Sequence, residues 1–127
     1  VDVRDLRGHT VVPGFIDVHV HGVAGTDALD GSDAVCAIAA RLPRFGVTGF
    51  CPTSVACDPA ALGRLLDGVA AARAAAGPDA AAVLGAHLES NFINPAWAGA
   101  QPPDCLRTYG GDGSGAAGAF TADDIVA

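Results

Sequence analysis

The sequence predicts an α/β fold of parallel strand–helix units, and three observations carry that prediction. Phe15–His21 ("FIDVHVH") alternates strictly, with Ile16, Val18 and Val20 on one side and Phe15, Asp17, His19 and His21 on the other. Two later segments place apolar residues at helical spacing, one from about Ser32 to Gly46 and one from Asp58 to Gly77. Each is followed by a largely apolar run, "VTGFCPTSV" and then "AAVLGAHLE". Strands that alternate with helices, and that are apolar on both faces, belong to parallel sheets covered by those helices.

Taken in order, "VDVRDLRGHTVVPG" reads as a strand pair with a turn at Arg7-Gly8, and "FIDVHVHG" as the next strand. A Gly- and Asp-rich loop follows. In the first helix, Ser32 is the expected cap, Val35, Ile38, Ala39, Leu42 and Phe45 form the apolar face, and Pro43 should shorten the last turn. "VTGFCPTSV" is a strand bounded by Gly46 and Pro52. The second helix is the best marked: Asp58 caps it, Pro59 takes its first position, Gly77 stops it, and Leu62, Leu65, Leu66 and Val69 face the core. "AAVLGAHLE" is the third strand. A long irregular stretch runs from Ser90 to about Gly118, and "TADDIVA", capped at Thr121, begins another helix. Three units cannot close a barrel, so the chain is read as incomplete.

Composition narrows the function. Seven Arg, no Lys and fourteen acidic residues give a net charge of -7, which argues against a phosphate-backbone binder. No run approaches the ~20 apolar residues of a membrane span, and no secretory signature opens the chain. A cytoplasmic location is expected. Cys36, Cys51, Cys57 and Cys105 show no CxxC pair and are expected as free thiols.

The chemistry gathers at two strand ends. In parallel α/β folds, functional polar groups sit at the carboxyl ends of strands. His19 and His21 end the first strand; His87 and Glu89, the only glutamate, end the third. A histidine closing one strand is more often a satisfied polar residue than a ligand. Two such ends in one βα repeat shift the balance toward a divalent metal site. His87 reads as a packing residue, a residue behind the ligands, or a ligand, and His9 is assigned no role.

"PGFIDVHVHG" resembles the first-strand signature of the amidohydrolase superfamily. With "DALDG", "RFGVTGFCPTSV" and "VLGAHLESNFINPAWAGAQPPDCLR" the chain resembles the N-terminal portion of the N-acetylglucosamine-6-phosphate deacetylase family. The resemblance implies a (β/α)8 TIM-type barrel, with residues 1–12 the end of a small flanking β-domain and 13–127 the first three barrel units. It implies metal-dependent hydrolysis of the acetamide of N-acetylglucosamine 6-phosphate to glucosamine 6-phosphate and acetate.

His19, His21 and Glu89 would hold the metal, zinc first, as one or two ions, with Fe, Mn or Co as other choices. Asp17 and His87 would stand behind these ligands. Ala100 and Gln101 would contact the sugar phosphate. The catalytic Asp and two further His would lie beyond Ala127, and the complete protein would be a homo-oligomer. Two departures stand out. Ser90-Asn91 replaces the family's Gly-Pro after the glutamate, and Gln101 replaces a His. Another amidohydrolase acting on a cyclic or acyl amide, and a non-catalytic truncated fragment, are the alternatives. The isolated 127-residue chain is expected neither to fold stably nor to deacetylate.

Overall fold

The computed structural model describes residues 3–75 and 77–107. Strand β1 (Phe15–Val20) leads into a short hairpin, β2 (Gly22–Val23) and β3 (Thr26–Asp27), and then helix α1 (Ser32–Arg41). Strand β4 (Val47–Ser54), helix α2 (Pro59–Ala75) and two short strands, β5 (Ala82–Val83) and β6 (His87–Leu88), follow. β4 is the central strand. β1 pairs parallel on one side of it, and β5 and β6 pair parallel with it in turn. The predicted α/β class and parallel sheet are therefore observed. The helix expected at Thr121 lies outside the described residues.

The core forms where α1 and α2 cover the sheet. Val35, Ile38, Ala39 and Leu42 of α1 and its continuation, Leu65, Val69 and Ala72 of α2, and Phe50 and Val83 of the sheet are buried in one cluster. Gly68 lets the helices approach closely, since a Cβ there would lie 2.9 Å from backbone atoms of Gly31 and Ser32. Asp58 caps α2 as expected, its Oδ1 accepting the Ala61 N–H at 2.8 Å. Pro43 acts as predicted. α1 ends at Arg41, a 3₁₀ turn spans Leu42–Phe45, and Gly46 closes it with φ +79°.

Several expectations need correction. Residues 3–14 hold the turn at Arg7-Gly8, with Gly8 at φ +85°, but no strands. Val3, Leu6, Val11 and Val12 are exposed there, and a two-stranded ribbon that packs on nothing is marginal. Ser32 is the first helical residue rather than the cap; Gly31 holds the cap position and makes no side-chain bond. Phe45 and Leu66 are exposed, and the buried face of α2 runs instead through Ala61, Leu65, Gly68, Val69 and Ala72. β4 continues through Pro52, which pairs with Val20 where the β1–β4 ladder is irregular and the missing N–H is tolerated. The third strand is split: the Leu84 N–H still donates to the Phe50 carbonyl at 2.9 Å, the chain then leaves the ladder around Gly85, and pairing resumes at His87. The loop after His21 also folds into a hairpin, turning on Ala24 (φ +52°) and Gly25 (φ +77°).

Candidate metal centre

The parallel sheet delivers His19 and His21 from the end of β1 and Glu89 from just past β6 to one place. The Nε2 atoms of the two histidines are 3.0 Å apart, and Glu89 Oε2 lies 3.2 Å from His21 Nε2 and 3.8 Å from His19 Nε2. Among the described residues these three form the one His/Cys/Asp/Glu cluster with ligand atoms this close. Tetrahedral zinc, with ligand bonds of ~2.0–2.2 Å, separates adjacent ligand atoms by about 3.3–3.6 Å. The three observed separations bracket that range, so the donor set fits a divalent ion.

The hydrogen bonds around the cluster point the same way. His21 donates from Nδ1 to the Thr53 carbonyl at 3.1 Å, which leaves Nε2 as the ring nitrogen directed at the cluster. Glu89 Oε2 is buried and accepts no hydrogen bond, although His21 Nε2 is within ion-pair distance. A buried carboxylate oxygen without a hydrogen-bond donor is stabilised by a cation, which suits a metal ion held among these three side chains.

The neighbours of the cluster hold backbone. Asp17 Oδ1 accepts the His19 N–H at 3.1 Å. His87 donates from Nδ1 to the Val18 carbonyl at 2.9 Å, and its ring stands edge-on to that of His19, with centroids 4.9 Å apart. His87 is thus not one of the three clustered ligands. Spacing did not reveal Thr53 and Ser54, adjacent on β4. The Thr53 hydroxyl accepts the Val20 N–H at 2.9 Å, and Ser54 Oγ accepts the Glu89 N–H at 3.2 Å. The only hint in the sequence is two adjacent hydroxyl residues closing a largely apolar strand.

The two departures in the loop after Glu89 are both occupied structurally. Ser90 adopts φ +81°, a left-handed conformation that a glycine would take freely. Buried Asn91 donates from Nδ2 to the carbonyls of Cys57 (2.6 Å) and Cys105 (2.8 Å). Gln101 Oε1 accepts the Ala56 N–H at 2.6 Å, whereas Ala100 is exposed. Neither Ala100 nor Gln101 belongs to the three-ligand cluster. All four cysteines are free, as expected.

Comparison with known proteins supplies the relationship. Rat N-acetylglucosamine-6-phosphate deacetylase is 40% identical over 111 residues, and the Bacillus subtilis enzyme of the same name is 36% identical over 109; each alignment covers 84% of this chain. The chain is homologous to the N-terminal region of N-acetylglucosamine-6-phosphate deacetylases. An N-acetylgalactosamine-6-phosphate deacetylase from Escherichia coli O157:H7 is 34% identical over 108 residues. The chain spans about a quarter of the length of these relatives, 27% of the rat protein and 28% of the bacterial deacetylases.

The crystal structure of the Thermotoga maritima N-acetylglucosamine-6-phosphate deacetylase superposes with a TM-score of 0.70 at 24% identity, covering 90% of this chain and 27% of that one. That likeness concerns the fold. No family model matches the chain. No described helix is long and apolar enough to cross a membrane.

Proposed function

We propose that this chain forms part of a metal-dependent deacetylase acting on N-acetylglucosamine 6-phosphate, releasing glucosamine 6-phosphate and acetate. The observation that carries the reading is the convergence of His19 Nε2, His21 Nε2 and the orphaned, buried Glu89 Oε2 within a chain related to enzymes of that name. In this reading residues 13–127 belong to the first three units of a (β/α)8 barrel of the amidohydrolase type, and residues 1–12 to the end of a flanking β-domain. The complete protein is a cytoplasmic homo-oligomer with a small sugar phosphate as its substrate.

A divalent ion held by His19, His21 and Glu89, zinc first, would supply Lewis-acid activation of water and of the amide carbonyl. The chain's own residues do the holding. Thr53 fixes the tautomer of His21, and Asp17, His87 and Ser54 fix the backbone on either side of the ligands. The loop after Glu89 forms one wall of the substrate pocket, with Ala100 and Gln101 on it. A second reading, the galacto epimer of the substrate, is favoured by the Escherichia coli relative's name.

The test is to express the complete reading frame and measure metal content and acetate release from both N-acetylhexosamine 6-phosphates. Bound zinc, release from the gluco substrate, and loss of both in Glu89→Gln and His21→Ala are expected. Metal-free protein with full activity, or Glu89→Gln retaining both metal and turnover, would sink the proposal.

A further inference from the structure

The ladder between β1 and β4 is interrupted where the histidines lie. Its register shifts between Asp17 and Val20, so the usual strand pairing does not hold the segment that carries His19. Side chains hold it instead. Asp17 takes the His19 N–H, His87 donates to the Val18 carbonyl, and Thr53 takes the Val20 N–H. Of these three, only Thr53 is fully buried, and it comes from the central strand.

Its hydroxyl is committed on both sides. It donates to the Cys51 carbonyl at 3.0 Å, which turns an oxygen lone pair toward the Val20 N–H. The carbonyl of the same residue accepts His21 Nδ1. Thr53 therefore grips the chain at Val20, the residue between the two histidines, and again at the ring of His21.

We propose that Thr53 is the positioning residue of the histidine pair, its hydroxyl setting where both imidazoles present Nε2. It touches neither metal nor substrate and acts through Val20. The proposal rests on the metal-centre reading above. Threonine suits the position because its methyl group is buried with the strand while its hydroxyl bridges two backbone groups. Valine has the same shape and would leave the Val20 N–H buried without a partner; serine keeps the bridge.

The test uses the protein expressed from its complete reading frame. Zinc affinity is measured by competition with a chromophoric chelator, well below each variant's melting temperature. Thr53→Val weakens zinc binding by about 10–100-fold, the range seen when a residue that orients a ligand is lost, and Thr53→Ser stays within about 3-fold. A role in stability alone would lower the melting temperature of Thr53→Val and leave its zinc affinity unchanged, which overturns the proposal.

The wild-type protein gives a test that needs no variant. Slow hydrogen exchange at the Val20 amide, with the His21 ring protonated at Nδ1, is expected. A Val20 amide that exchanges like an exposed strand amide overturns the proposal. Wild-type protein that binds no zinc overturns the metal reading itself, and this proposal with it.

Discussion

Ser90, the residue after Glu89, carries the clearest local strain among the described residues. Its φ of +81° costs an L-residue about 1–2 kcal/mol relative to glycine, and its Oγ offsets part of this by accepting the Phe92 N–H at 3.0 Å. In protein expressed from the complete reading frame, Ser90→Gly is expected to raise unfolding stability by up to about 1 kcal/mol, read as a shift in the urea midpoint at unchanged slope. A lower midpoint would show that the hydroxyl bond outweighs the backbone strain. The cysteines differ just as sharply. Burial pushes the Cys57 thiol up from its ordinary range, with the charges of Asp58 and Cys105 adding to the shift, so it stays protonated at neutral pH, whereas Cys36 is exposed. Iodoacetamide at neutral pH should label Cys36 in the folded protein well before Cys57, with mass spectrometry of the peptides as the readout. Equal labelling would contradict the burial of Cys57.

At the scale of elements, the stretch from Asn91 to Arg107 is a loop closed at its neck. The Arg107 N–H donates to the Asn91 carbonyl at 2.8 Å, and the Asn91 side chain bonds Cys105 on the same neck and Cys57 on the β4–α2 loop. Gln101 makes a second attachment to that loop at Ala56. Asn91→Asp would place a carboxylate against two carbonyl oxygens in a buried position, and a loss of about 2–4 kcal/mol is expected. Proteolytic nicking between residues 92 and 104 should appear with it, so resistance equal to wild type would count against the neck. Gly68 makes the matching point for the helices. Gly68→Ala presses a methyl group onto the backbone of Gly31 and Ser32, and about 1–3 kcal/mol of destabilisation is expected by urea titration. The third strand shows what such geometry hides from sequence reading. "AAVLGAHLE" has the composition of one strand, yet only two dipeptides of it pair with β4, because pairing depends on the path of the partner strand and not on composition.

Across the whole molecule, the sheet is covered unevenly. α1 and α2 bury one region completely, while Phe15, Ile16 and Val18 of the edge strand β1 remain 61%, 66% and 60% exposed. An apolar strand with an open edge is a site of association. The isolated 127-residue chain is expected to bind ANS, to self-associate, and to lack a cooperative melt with turnover. Protein from the complete reading frame is expected to shield Ile16 and Val18 from hydrogen exchange. A cooperative, monomeric, active 127-residue chain would refute the first expectation, and fast exchange at Ile16 and Val18 in the longer protein the second.

Much of the fold was legible because local signals agreed with it. The alternation of Phe15–His21, the Asp58-Pro59 start of α2, and Pro43 before Gly46 each act within a few residues, where sequence alone carries the physics. So did the candidate ligands, since side-chain alternation puts His19 and His21 on one side of a strand whatever surrounds it. The N-terminal strand pair failed because its apolar residues find nothing to pack on, and no local pattern reports a missing partner. The family resemblance implies a substrate contact at Gln101. That its amide oxygen is bound to Ala56, 45 residues earlier, follows from where two loops meet. Thr53 was missed because its bonds to Val20 and His21 cross 33 and 32 residues of sequence. The sequence by itself determined the residue types, their faces and the βα order; the tertiary structure decided which carbonyl each imidazole meets and that Glu89 Oε2 arrives without a hydrogen-bond partner. The physical reason is that period and capping act over a few residues, whereas a ligand cluster is set by the packing of strands far apart in the chain.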